Sequence, residues 1–283
     1  GTSTGINLAT NTGATINFTG LLTLSTSTNA AFTATGGGTI SSTNSGSTIT
    51  TTTATALNVT NTTIGASNLD FQSISSNGGS ATGIILDNTG ASGGLTVNGD
   101  GGNTSLGGNG TGGSITNKSG SDLSTTTGIG IYLNNTMNVV LRRMVISGTN
   151  QNHGIRGLDV KNFTFEYCIV GGTNGTNPNN NGYDQYGEGS MVFGNQSTAG
   201  ITGTASIKIC IISGASARNL SIVNSSGNLN RITISGCTFG LNQNSSSAGA
   251  SLSVEARNSG TLLNTTFQSC TFIGSPADQS NFT

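Results

Sequence analysis

Apolar residues in this chain recur at every second position within short runs, and the runs themselves repeat. The segment NFTFEYCIVGG, Asn162 to Gly172, returns as SIKICIISG at 206–214, RITISGCTFG at 231–240 and NTTFQSCTFIG at 264–274. With Cys168, Cys210, Cys237 and Cys270 superposed, Phe165, Ile207, Ile234 and Phe267 fall three residues before them, and Val170, Ile212, Phe239 and Phe272 two residues after. An earlier copy, NVVLRRMVISG at 138–148, fits with Met144 in the cysteine place, between Leu141 and Ile146. Period two in runs this short means strands. Residues 1 to about 80 read the same way, as GINLAT, ATINFTG, LLTLST, AAFTATGG, TALNVTN and LDFQSIS. No segment carries a 3.6-residue apolar stripe, so almost no helix is expected.

From Thr82 the units lengthen. GIGIYLNNTMNVVLRRMVISG and HGIRGLDVKNFTFEYCIVGG are nearly parallel sentences, with Met144 and Cys168 separated by 24 residues. The following intervals between cysteines are 42, 27 and 33 residues, and the excess of the first lies in GGTNGTNPNNNGYDQYGEG, a surface insertion around 173–190. Units too small to bury an apolar face alone must stack, which makes the chain a solenoid. With several strands and no helix per unit, the fold class is all-β, a right-handed parallel β-helix of about ten coils. Residues 1–80 form short Ser/Thr-rich coils, and 81–283 form the main coils of one continuous solenoid. The interior of such a coil is narrow, so Met144, Cys168, Cys210, Cys237 and Cys270 are expected to stack inside it as a ladder of slim apolar groups.

Composition agrees with this picture. Only 7% of the 283 residues are charged and 32% are hydrophobic, with 45 Gly and no Trp. That bias is compatible with disorder, but a disordered linker would not space β-branched and aromatic residues so regularly. The formal net charge of −1 leaves no electrostatic footprint for nucleic acid or an anionic membrane. No apolar run approaches the ~20 residues that span a bilayer. The chain opens on Gly1 rather than Met, as expected of a processed or excised segment.

GIILDNTGASGGLTVNGDGG, GSITN, GIYLNNTMNVVLRRMVISG, HGIRGLDVKNFTFEYCIV and NLSIVNSSGNLNRITISGCTFG resemble the parallel β-helix segments of very large, exported bacterial repeat proteins, over roughly residues 80–274. The resemblance implies an extracellular or cell-surface setting and little chemistry. The fold is also similar to that of pectate lyases and polygalacturonases, which implies a rival reading as an enzyme.

Four cysteines could make two disulfides, but stacked side by side in a packed core they read as free thiols. No pair has C-x-x-C spacing and the one histidine, His153, lies at a loop end, so no metal is expected. NGDGGNTSLGGNGTGG at 98–113 resembles a calcium-binding β-roll, yet it offers only Asp100 and reads as a flexible external loop. The N-x-[ST] sequons, as at Asn17, Asn58, Asn162 and Asn264, arise readily in a chain so rich in Asn, Ser and Thr. Thr-x-Thr pieces such as TLSTST hint at an ice-binding face, but the pairs do not return on later coils.

Ionisable and aromatic groups gather in one place: His153, Arg156, Asp159, Lys161 and Glu166, then Tyr183, Asp184, Tyr186 and Glu188 in the insertion. Glycan cleavage needs an acid and a base flanking one bond, so the rival catalytic set is Asp159, Asp184 and Glu188 with Arg156 or His153. Alternation turns Asp159 outward. The plainer expectation is a solvated loop holding the few charges the chain has, no enzyme and no cofactor.

A β-helix ends in a coil whose backbone groups and apolar interior are uncovered, a template for further pairing. GTSTGINLAT and SPADQSNFT carry no cap in sequence. The expected partners are therefore flanking parts of a larger protein or other copies of this chain, with surface glycans as possible outer-face ligands. The expected role is an extracellular rod or fibre element of a bacterial surface or matrix, self-assembling end to end or adhesive; the alternative is a polysaccharide lyase or glycoside hydrolase.

Overall fold

Strand after strand pairs in parallel with its equivalent one turn earlier. The computed structural model describes residues 3–179, 187–243 and 251–274, and among these every regular element is a strand. The strands form a 17-stranded sheet, a nine-stranded sheet and a two-stranded sheet. Each coil contributes one strand to the nine-stranded sheet, so the described residues make nine coils, in line with the expected ten or so. The architecture is an all-β parallel solenoid. Pairing passes across residue 80 without a break, from Leu57–Thr60 to Ile84–Asp87.

Register links the coils through rows of like side chains. One row runs Ile6, Phe32, Leu57, Ile84, Ile131, Ile155, Met191, Leu220 and Leu252. Another contains Phe71, Val97, Leu141, Phe165, Ile207, Ile234 and Phe267. In the nine-stranded sheet Ile115, Ile146, Val170, Ile212, Phe239 and Phe272 stack. Apart from the terminal coils these side chains have essentially no exposure, and each buried Ile, Leu or Phe contributes about 1.5–3 kcal/mol. Volume is balanced between neighbours: Gly157 lacks a Cβ where one would lie 2.2 Å from the Phe193 ring, so the phenyl fills the place left open one coil earlier.

The cysteines recur at one corner of successive coils. All four are free; Cys168, Cys210 and Cys237 are buried and Cys270, in the last coil, is half-buried. Each follows a residue in the left-handed region: Tyr167 (φ 57°), Ile209 (55°), Gly236 (62°) and Ser269 (54°), with Arg143 (57°) before Met144. One left-handed residue bends the chain from the long sheet into the short one, as at a bulge. The next side chain is thereby turned into the corner. There the thiols of Cys168, Cys210 and Cys237 donate to the carbonyls of Leu141, Phe165 and Ile207 in the preceding coil, at 3.5, 3.4 and 3.5 Å. Cysteine thus serves as a small hydrophobe that also satisfies a carbonyl.

A second kind of corner uses asparagine. Asn61, Asn88 and Asn135 all have positive φ, and their amides form a ladder, Asn88 Nδ2 to Asn61 Oδ1 at 3.0 Å and Asn135 Nδ2 to Asn88 Oδ1 at 2.8 Å. Asp159 holds the equivalent place one coil on, again left-handed (φ 48°). Asn tolerates this conformation better than most side chains.

Candidate functional site on the outer face

Three members of the ionisable cluster read from the sequence, His153, Arg156 and Glu188, are buried rather than set in solvent. His153 opens the strand His153–Glu166 and is buried, its Nδ1 accepting the N–H of Gly189 at 3.3 Å. Arg156 points outward on that strand yet is fully buried, and its Nη1 donates to the carbonyls of Gly157 (3.0 Å) and Val192 (3.2 Å). Glu188 is also buried; its Oε2 accepts the N–H groups of Thr176 (2.8 Å) and Asn177 (2.9 Å) at the root of the insertion. Burial raises its carboxyl above the usual range, and those two amide bonds oppose the shift. These three residues are buried because the backbone around the insertion uses them as hydrogen-bonding partners. Asp159, by contrast, is exposed, and its left-handed corner rather than alternation turns it outward, since Leu158 before it pairs with the outward Asn134.

Asp184, Tyr183 and Tyr186 lie outside the described residues. Between the two described carboxylates the register sets the distance. Ile155 pairs with Met191, which aligns Glu188 with Asn152, seven residues before Asp159. At about 3.3 Å per residue the two are roughly 20 Å apart along the sheet, against ~5–10 Å for a glycosidase pair. Glu166 is engaged elsewhere, bonded to Arg142 at 2.9 Å and near Lys208 at 3.9 Å. Among the described residues no group of three or more His, Cys, Asp or Glu side chains is arranged to hold a metal.

The segment expected to be a flexible loop at 98–113 is instead fastened to the outer wall. Arg143, the left-handed corner residue before Met144, is buried beneath it and donates to the carbonyls of Asn103 (2.6 Å), Asn98 (2.7 Å) and Gly101 (3.0 Å). Its guanidinium lies 5.1 Å from the Tyr167 ring centroid. The Asp100 carboxylate accepts from Gly102 N–H and Asn109 Nδ2, which hold it below the usual range.

An outer-face groove lies on the strands Leu57–Thr60, Ile84–Asp87 and Ile129–Arg142. Asn58, Ile85 and Tyr132 form one outward column, and Thr60 and Asp87 sit in the next. Thr82, Thr125 and Thr126 complete a cavity of about 210 Å³. Its far wall is fastened by hydrogen bonds. Asn152, fully buried, donates to the carbonyls of Ser121, Ser124 and Thr127 (3.1, 3.2 and 2.7 Å) and accepts from Leu123 N–H at 3.1 Å. Thr82 Oγ1 ties the wall to the coil by donating to Thr126 O at 3.0 Å.

Comparison of the chain with protein-family models, with curated proteins and with solved structures found no match in any of the three. No helix among the described residues is long and apolar enough to cross a membrane. The groove residues escaped the sequence reading although a signal exists: in LNVT, IILD and IYLN the outward positions occupy the same register.

Proposed function

We propose that this chain is a structural β-solenoid, a rod segment of the bacterial cell surface or matrix whose end coils are completed by flanking parts of a longer protein or by further copies. One observation carries the reading: among the described residues, the apolar rows that are sealed in the middle of the solenoid are only partly covered in its first and last coils. Ile6, Leu8, Ile16, Phe18, Leu22 and Leu24 in the first coil are only partly covered, and so are Val254, Leu262, Cys270 and Phe272 in the last. Phe267 is 39% exposed, whereas Phe165 in the same row is fully buried. Among the described residues the strands Ile6–Ala9, Thr15–Phe18 and Thr23–Ser25 pair on one side only, as do Leu252–Ala256, Thr265–Gln268 and Thr271–Phe272 at the other end.

Such edges recruit further strands, and rows in register extend naturally into a neighbour of the same design. The extracellular setting is supported by the likeness to exported repeat proteins and by a nearly chargeless Ser/Thr/Asn surface. Catalysis is not favoured, because Asp159 and Glu188 are too far apart to share a bond and His153, Arg156 and Glu188 are committed to backbone partners. At ~4.8 Å per coil nine coils span about 43 Å. Electron microscopy of the purified chain is expected to find rods in multiples of that length, and a field of single units at every concentration would count against self-assembly. Incubation with acidic polysaccharides tests the enzymatic rival: shortening of the polymer that is lost on Asp184→Ala would replace the structural reading.

A further inference from the structure

The groove beside Tyr132 has a wall held by five hydrogen bonds, four donated by Asn152 and Thr82 and one accepted by Asn152, and nothing in a purely structural rod requires it. Its chemistry restricts what it can hold. The lining contains no Lys, Arg or His and one carboxylate, Asp87, so phosphates, sulfates and uronic acids are disfavoured. It contains one aromatic ring and one aliphatic side chain, Tyr132 and Ile85, stacked in neighbouring coils, which together make an apolar strip one ring wide. Around that strip stand an amide, a carboxylate and hydroxyls: Asn58, Asp87, Thr60, Thr125 and Thr126.

Two of these polar groups are pre-oriented. Asp87 Oδ1 accepts Asn134 Nδ2 at 2.7 Å, which fixes the carboxylate plane and leaves Oδ2 for a ligand hydroxyl. Asn58 Oδ1 accepts Thr60 Oγ1 at 2.7 Å, which fixes the amide and leaves Nδ2 as a donor. A fixed acceptor and a fixed donor on adjacent columns, beside an aromatic ring, match a molecule with an apolar C–H face and vicinal hydroxyls on its edge. At about 210 Å³ the cavity is below the ~300–1,000 Å³ of pockets for larger ligands, and so suits one ring.

We propose that this groove binds a single neutral sugar ring, presented by a surface or matrix glycan, with Tyr132 and Ile85 under its C–H face and Asp87 and Asn58 on its hydroxyls. The site stands independently of end-to-end assembly, since its lining residues lie on the fourth and neighbouring coils and not on the open edges.

The test titrates the intact chain with the methyl glycosides of glucose, galactose, mannose and N-acetylglucosamine, and with glucuronate, followed by ligand-observed saturation-transfer NMR and by chemical shifts of the groove amides. At least one neutral glycoside is expected to saturate with a Kd of about 1 mM, glucuronate to bind at least ~10-fold more weakly, and Asp87→Ala to weaken the neutral glycoside ~10-fold or more. Tyr132→Phe is expected to retain binding. Because Tyr132→Ala could disturb the coil, Thr126→Trp, on the exposed wall, serves as the blocking variant and is expected to abolish binding with melting unchanged. Failure of all four neutral glycosides to saturate below about 100 mM, binding unaffected by Asp87→Ala and Thr126→Trp, or equal binding of glucuronate would each overturn the proposal.

Discussion

Lys118 lies inside the solenoid wall with no exposed surface, and among the described residues no carboxylate pairs with its ammonium; Nζ donates to Ser76 Oγ at 2.5 Å and to Gly78 O at 2.8 Å. Burial lowers its pKa from 10.5 to about 8. At 1.36 kcal/mol per unit the difference corresponds to a cost of about 3 kcal/mol for the charged folded form. The sign follows from proton counting. Between pH 8 and 10.5 the unfolded chain holds the proton and the folded chain does not, so stability rises with pH across that window; below pH 8 the whole cost is present. Lys118→Met removes the charge but leaves Gly78 O without this donor, a loss of about 1 kcal/mol. Ser76 Oγ keeps its bond to Ala54 O at 2.6 Å. The variant is therefore expected to be about 2 kcal/mol more stable than the parent at pH 7, and the advantage is expected to disappear by pH 10. Urea unfolding of both proteins at pH 7, 8, 9 and 10 measures this, and every other titrating group cancels in the difference. Parallel pH profiles, or a variant less stable than the parent at pH 7, would refute the reasoning.

Three further outcomes are expected. In the native protein a thiol reagent is expected to modify Cys270 alone and slowly, because burial raises its thiol pKa, and to reach Cys168, Cys210 and Cys237 only on unfolding; rapid native labelling of two or more thiols contradicts the ladder. Arg143→Ala removes three bonds to the carbonyls of Asn98, Gly101 and Asn103 and is expected to cost about 2–4 kcal/mol and to raise hydrogen exchange selectively over 98–112, which peptide-level mass spectrometry would detect. Glu188 carries a raised carboxyl pKa, so its charge weakens the fold as pH rises past the normal glutamate range; Glu188→Gln is expected to be neutral or stabilising by about 1 kcal/mol at pH 7, and thermal melts at pH 4 and pH 7 would read the lost pH dependence.

The inward rows were legible because alternation and the cysteine register depend only on local spacing: Phe165, Ile207, Ile234 and Phe267 were aligned correctly from sequence and pair as aligned. The corners were not. Arg143, Tyr167, Ile209 and Ser269 adopt left-handed backbone without the Gly or Asn that normally announces it, since stacking on the coils before and after holds them there. The burial of His153, Arg156 and Glu188 was hidden for a related reason. Their partners, Gly189, Val192 and Thr176, lie 12 to 36 residues away, in or just after an insertion whose path spacing alone does not define. Nothing in the spacing signals that residues 98–112 fold over Arg143. Lys118, inside the polar stretch GSITNKSG, gave no hint that its side chain turns into the wall.

The open ends are the centre of the functional account, and sedimentation equilibrium of the purified chain tests them most directly when set beside a Phe267→Asp variant, which places a charge on the half-exposed row of the last coil. The account predicts that the parent's apparent mass grows with concentration in whole multiples of 28.1 kDa and that Phe267→Asp remains at one. A parent that stays at one unit throughout, with the amides of Ile6–Ala9 and Thr265–Gln268 as protected from hydrogen exchange as those of Ile129–Arg142, would contradict it.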